Sequence, residues 1–208
     1  PISWLPTGQW PPGSPIRSQH SLRIPANLKP GTYALIAGLF DPETGIRQLW
    51  GGDDHLRLGE VEIGVRAHDF TPPTPQHPLD LVLAGGHRLI GYDLVAGDSP
   101  GNPVNLTLYW RAAGPTDIRY SAFVHLLALD DTLLDQSDQE PAAGDHPTTS
   151  WLAGEYIVDA HALTIPPQAP PGPYHLALGL YDPATGQRLP FIDEQGAILT
   201  DHIVLPVQ

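Results

Sequence analysis

The chain has 208 residues and a mass of 22.5 kDa, with ten basic against twenty-three acidic side chains, a formal net charge of −13, and 41% apolar residues beside 21 glycines and 25 prolines. Length and apolar share together exclude a peptide, a disulfide-stapled miniprotein and a disordered chain. An interior proline costs a helix about 3 kcal/mol, so this proline density excludes long helices and points to an all-β fold.

The negative charge repels phosphates, so nucleic acid and anionic lipid headgroups are not expected partners. Cysteine is absent, which removes disulfide frameworks and thiolate metal sites. The sequence has no run of eighteen apolar residues and no basic-then-apolar leader, so it is not expected to insert into a membrane by itself. It also has no methionine, even at position 1, which reads as a processed product or a piece of something longer.

An internal repeat organises the chain. Shifted by 141 residues, Thr7–Arg47 aligns with Thr148–Arg188 without a gap and with 19 identities in 41 positions, among them Trp10 with Trp151, His20 with His161, and Asp41 with Asp182. The second copy is preceded by a long strand-like stretch, whereas the first has six residues before it, so the first unit is only the back half of a module. The expected division is a partial β-sandwich module at 1–67, a proline-rich linker at 68–79 (HDFTPPTPQHP within it) and a complete β-sandwich module at 80–208, immunoglobulin-like and antiparallel.

Within the copies the apolar pattern has period two. Pro30-Gly31 and Pro171-Gly172 read as turns, and Asp-Pro-x-Thr-Gly at 41–45 and 182–186 has the chemistry of a hairpin loop. The apolar side chains Ile16, Leu22, Ile24, Tyr33, Leu35 and Leu39 of the half-module need cover. It is expected from residues before Pro1, from the adjacent module or from another chain, with copies of this chain included.

In the second module, His87–Val95 and Val104–Trp110 read as strands, and Trp110 alternates into the core. Residues 120–136 lack Gly and Pro and could pass for a helix, but their β-branched start and paired aspartates favour a hairpin turning at Asp130-Asp131. Ile157, His161, Leu163 and Ile165 share one strand face, and Tyr174, Leu176, Leu178 and Leu180 another.

With these segments laid out, the second unit resembles the extracytoplasmic C-terminal sandwich modules of bacterial membrane glycosyltransferases of the dolichyl-phosphate-mannose mannosyltransferase type. The resemblance rests on LIGYDL at 89–94, LTLYWRA at 106–112, FVHLL at 123–127, HPTTSWLAGE at 146–155 and PPGPYHLALGLYDPATGQRLP at 170–190. It covers residues 86–206, and residues 7–65 resemble the last half of the same module. It implies an accessory, non-catalytic module outside the membrane or at the cell surface, since in such enzymes the catalytic part is a polytopic membrane domain.

Nucleophile elbows, phosphate-cradling glycine loops, zincin helices and dinucleotide fingerprints are all missing, so no catalytic, cofactor or metal residues are assigned. The ten histidines have no ligand spacing, and those on strand faces read as core or edge side chains bonded to backbone. Acidic clusters at Asp53-Asp54 and from Asp130 to Glu140 could offer oxygens to calcium, yet they do not match an EF-hand and read as solvated faces. Aromatic side chains are the remaining candidates for contacts with a polysaccharide or a partner. Trp50 and an outward Tyr109 are the surface candidates; Trp10 and Trp151, at one repeat position, fit packing better. Three functions follow: an accessory glycosyltransferase module, a structural subunit of a fibre or surface layer, and a carbohydrate-binding protein.

Overall fold

The structure, a computed structural model, describes residues 9–22, 24–25, 28–64 and 66–207. It is nearly all β, and every strand pair in it is antiparallel.

Residues 77–207 form a sandwich of two sheets. One runs β12-β11-β3-β4-β5-β8, from β3 (His77–Leu83), β4 (Arg88–Ala96), β5 (Pro103–Arg111), β8 (Tyr156–Thr164), β11 (Phe191–Ile192) and β12 (Ile198–Thr200). The other is centred on β9 (Tyr174–Tyr181), which pairs β6 (Ser121–Ala128) on one edge and β10 (Arg188–Leu189) and β13 (Ile203–Val207) on the other, with β7 (Leu133–Gln139) beyond β6. Eleven described strands build this unit, three of them only two or three residues long.

Alternation fixes which side chains meet between the sheets. Val104, Leu106, Leu108 and Trp110 of β5 face Leu176, Leu178 and Leu180 of β9 across one core, and all seven are at most 1% exposed. A one-residue slip of β5 would drive Asn105 and Thr107 inward, so burial itself pins the register. Residues 120–136 are the hairpin the paired aspartates suggest: Asp131 takes a φ of 62°, and the Asp130 carboxylate accepts from the Thr132 N–H. The outer face of β9 is closed as well, because a Cβ on Gly179 would meet the Phe123 ring at 2.9 Å, and the Arg188 guanidinium lies 4.5 Å from the centre of that ring.

The linker ends earlier than expected. β3 begins at His77, so residues 77–79, assigned to the linker from their proline content, are part of the sandwich sheet, with Pro78 opposite Gly91.

In the first unit, β1 (Gly31–Ala37) and β2 (Leu56–Ile63) form a two-stranded sheet. Of the apolar side chains expected to need cover, Leu22 is 73% exposed and Ile24 55%, so the neighbouring module does not cover these two, while Tyr33 and Leu35 are half-buried. Residues 15–22 hold no strand, although they repeat the pattern of β8.

Candidate functional site

The densest polar cluster joins the linker to the sandwich. Glu155, at the turn entering β8, is fully buried, and its Oε1 lies 2.6 Å from Arg66 Nη1. Its Oε2 accepts from Arg66 Nη2 (2.9 Å) and from the Leu152 N–H (2.9 Å), with His68 Nδ1 3.0 Å away. Arg66 also donates to the Ser150 carbonyl at 2.9 Å and to His146 Nδ1 at 2.8 Å, and the Tyr156 N–H binds the Asp69 carbonyl at 2.8 Å.

Burial alone would raise the Glu155 carboxyl, yet the hydrogen bonds from Arg66, Leu152 and His68 hold it below the ordinary range. Burial pushes His146 down and the Arg66 charge pushes it further, which suits the unprotonated Nδ1 that accepts from the guanidinium. A buried carboxylate without these partners would be costly, so the cluster works as a clamp that fixes residues 66–69 onto the sandwich. Beside it lies an open cleft of about 530 Å³, lined by Ile24, Leu28 and Glu62 of the first unit and by Asp145 and Pro147 of the second.

A second polar cluster sits inside the sandwich. The Asp159 carboxylate, fully buried on β8, accepts from Trp110 Nε1 (3.1 Å) and from the Ala142 N–H (2.9 Å), and lies 3.2 Å from His161 Nε2. The Ser137 hydroxyl is 2.9 Å from His161 Nδ1. Serine, histidine and aspartate therefore stand in line, but the side chains of His161 and Asp159 have no exposed surface. A reacting substrate needs to touch the base; this line instead ties the edge strands β7 and β8 together across the two sheets. His161 lies in the core as read, but its partners are side chains and not the backbone.

The aromatic candidates divide. Trp50 is 45% exposed, held by its backbone pairing with Asp53 around Gly51-Gly52, and Trp10 is 37% exposed. Tyr109 is half-buried, and its hydroxyl donates to Asp93 at 2.7 Å; that hydrogen bond first, with burial second, raises its pKa. Trp151 is withdrawn as a contact residue, because it is fully buried, donates from Nε1 to the His146 carbonyl and meets the His87 ring edge-on. Trp10 and Trp50 belong to the first unit, Tyr109 and Trp151 to the second, and with Trp151 buried the four do not form one exposed patch.

The acidic side chains are engaged singly. Asp54 pairs with Arg47 and His55, Asp131 with His175 and Asp138 with His125, while Asp135 accepts from the Thr164 N–H. Among the described residues no group of three or more His, Asp or Glu could hold a metal ion. No described helix is long and apolar enough to cross a membrane.

Sequence reasoning missed Glu155, Arg66 and Asp159. Asp159 could have been found, because it falls on the inward phase of β8 between Ile157 and His161. The Arg66–Glu155 pair spans 89 residues and leaves no local trace. No family model matches the chain, and no curated protein matches it. A solved structure similar to it is the C-terminal domain of Wzt, at 16% identity and a TM-score of 0.43 over 65% of this chain and 82% of that one.

Proposed function

We propose that the chain is a non-catalytic β-sandwich module of an extracytoplasmic or cell-surface protein, the accessory part of a cell-envelope glycosyltransferase of the dolichyl-phosphate-mannose mannosyltransferase type or of a similar surface protein. One observation carries this reading. The closed sandwich commits its buried polar groups to holding strands and linker, while the half-unit beside it presents exposed apolar side chains, among them Leu22, Phe40, Trp50 and Leu56. Such a surface suits contact with a partner better than chemistry. The cellular setting in this reading rests on the resemblance of the sequence motifs to those modules alone.

Protease accessibility tests it. In intact cells an antibody to this chain should detect a membrane-fraction polypeptide well above 22.5 kDa whose epitope is lost when protease is added outside. A cytosolic, protease-protected product would overturn the reading. Among the described residues β1 pairs only with β2, and this free edge favours a second reading, a subunit of a fibre or surface layer, which predicts concentration-dependent polymers in light scattering. The exposure of Trp50 and Trp10 favours weak sugar binding, read as a change in tryptophan fluorescence with millimolar cell-wall or exopolysaccharide fragments.

A further inference from the structure

The chain between β7 and β8 is wound against the preference of its residues. Ala142 (φ 55°, ψ 45°) and Ala143 (φ 54°, ψ 28°) both take the left-handed region, and Gly144 follows at φ 92°. Glycine enters that region freely, whereas in alanine the Cβ crowds the following carbonyl oxygen. Two strained residues in a row persist only where the surrounding contacts over-determine them. Ala143 is exposed, so its side chain brings strain and no packing.

The contacts that hold this turn come from two directions. From inside the sandwich, the fully buried Asp159 carboxylate accepts from the Ala142 N–H at 2.9 Å. From the linker, Arg66 Nη1 donates to His146 Nδ1 at 2.8 Å, and Arg66 Nη2 donates to the Ser150 carbonyl at 2.9 Å. Within the turn, the Gly144 N–H binds the Glu140 carbonyl at 3.0 Å, the Asp145 N–H binds the Ala142 carbonyl at 3.1 Å, and the His146 N–H binds the Pro141 carbonyl at 3.3 Å.

The two ends of the segment are pinned separately. Arg119 donates to the Glu140 carboxylate from Nε at 3.0 Å and from Nη2 at 2.6 Å, and the hydroxyl of fully buried Thr148 donates to the Ile118 carbonyl at 2.7 Å. Pinned ends confine a change of hand to the residues between them. Such a change would carry the Ala142 N–H away from Asp159, whose carboxylate also accepts from Trp110 Nε1 at 3.1 Å. Only water could replace the lost donor, because a buried carboxylate left short of hydrogen bonds is costly.

We propose that residues 141–146 are a strained strap latched by the linker: seating Arg66 keeps the left-handed turn closed over Asp159, and withdrawing Arg66 lets the turn relax and admits water to the buried carboxylate. The strap makes the interior of the sandwich respond to where the linker lies. By reciprocity, whatever eases the strain in the strap also tightens the seat of the linker.

Hydrogen–deuterium exchange with mass spectrometry on the full chain at pH 8, above the lowered pKa of His146, tests the latch. In Arg66→Ala, exchange over residues 142–146 is expected to speed up about tenfold or more, while residues 104–110 in the core keep their protection. Ala143→Gly removes strain without removing a contact. Added to Arg66→Ala, it should return most of the protection at 142–146. Alone, with clamp and sandwich whole, it should slow exchange of the Tyr156 N–H, which the Asp69 carbonyl holds, about threefold or more. Unchanged exchange at 142–146 in Arg66→Ala, protection lost equally at 104–110, a double variant no slower than Arg66→Ala, or an unaltered Tyr156 N–H in Ala143→Gly would each overturn the proposal.

Discussion

His87 makes the sandwich acid-sensitive by an amount that can be worked out in advance. The residue is 2% exposed, its Nδ1 accepts from the Ala113 N–H at 3.2 Å, and its ring meets Trp151 at a centroid distance of 4.9 Å. Burial lowers its pKa from 6.5 to about 4. Because the folded value lies below the unfolded one, the neutral form is what folding selects. Its contribution is fully present above pH 6.5 and is lost as pH falls towards 4. Proton linkage with these two values gives a loss of about 2 kcal/mol by pH 5 and about 3 kcal/mol by pH 4, relative to neutral pH.

The control is His87→Phe, which keeps a ring against Trp151 and removes the titration. At pH 7 it should be less stable than the wild type by about 1–3 kcal/mol, because the Ala113 N–H loses its acceptor. Urea unfolding followed by tryptophan fluorescence at pH 7, 6, 5 and 4.5 measures both proteins, and the difference between them cancels the carboxylates they share. That gap should close by about 2 kcal/mol on going to pH 5. Parallel pH profiles, with the gap constant, would show that His87 is not held neutral by burial and would refute the reasoning.

Trp110→Ala should cost about 3–5 kcal/mol in urea unfolding, since it opens a cavity between the sheets and removes a donor from the buried Asp159 carboxylate. Glu155→Leu should release the linker by leaving Arg66 without its carboxylate, so limited trypsin digestion is expected to cut after Arg66 in the variant and not in the wild type. The same clamp should loosen in acid, because Glu155 and His146 both have lowered pKa values. Protection of residues 66–69 from hydrogen exchange, present above the ordinary histidine range, should fall first as His146 protonates and again as Glu155 does.

Much of the sandwich was legible because period-two alternation is a local property. Val104 to Trp110 and Tyr174 to Leu180 declare which side chains go inward whatever they meet there, and the Asp-Pro-x-Thr-Gly loops close on their own aspartate. The clamp was not legible, because Arg66 and Glu155 are ordinary charged residues in sequence and become a buried pair only when the linker crosses the end of β8. Trp151 could be weighed only against its repeat partner. Burial in the second copy and 37% exposure of Trp10 in the first show that one sequence position has two fates.

The contrast is sharpest between residues 15–24 and β8. Ile16, His20, Leu22 and Ile24 repeat Ile157, His161, Leu163 and Ile165 at the same spacing, so the amino-acid sequence by itself determined the apolar face of both segments. Among the described residues only the second is a strand, because β5 lies beside it and satisfies its backbone groups from Pro103 opposite Thr164 to Arg111 opposite Tyr156. A strand's hydrogen bonds belong to its neighbour. The pattern can therefore say which way a side chain would point, whereas only the tertiary structure decides whether there is a ladder for it to point from.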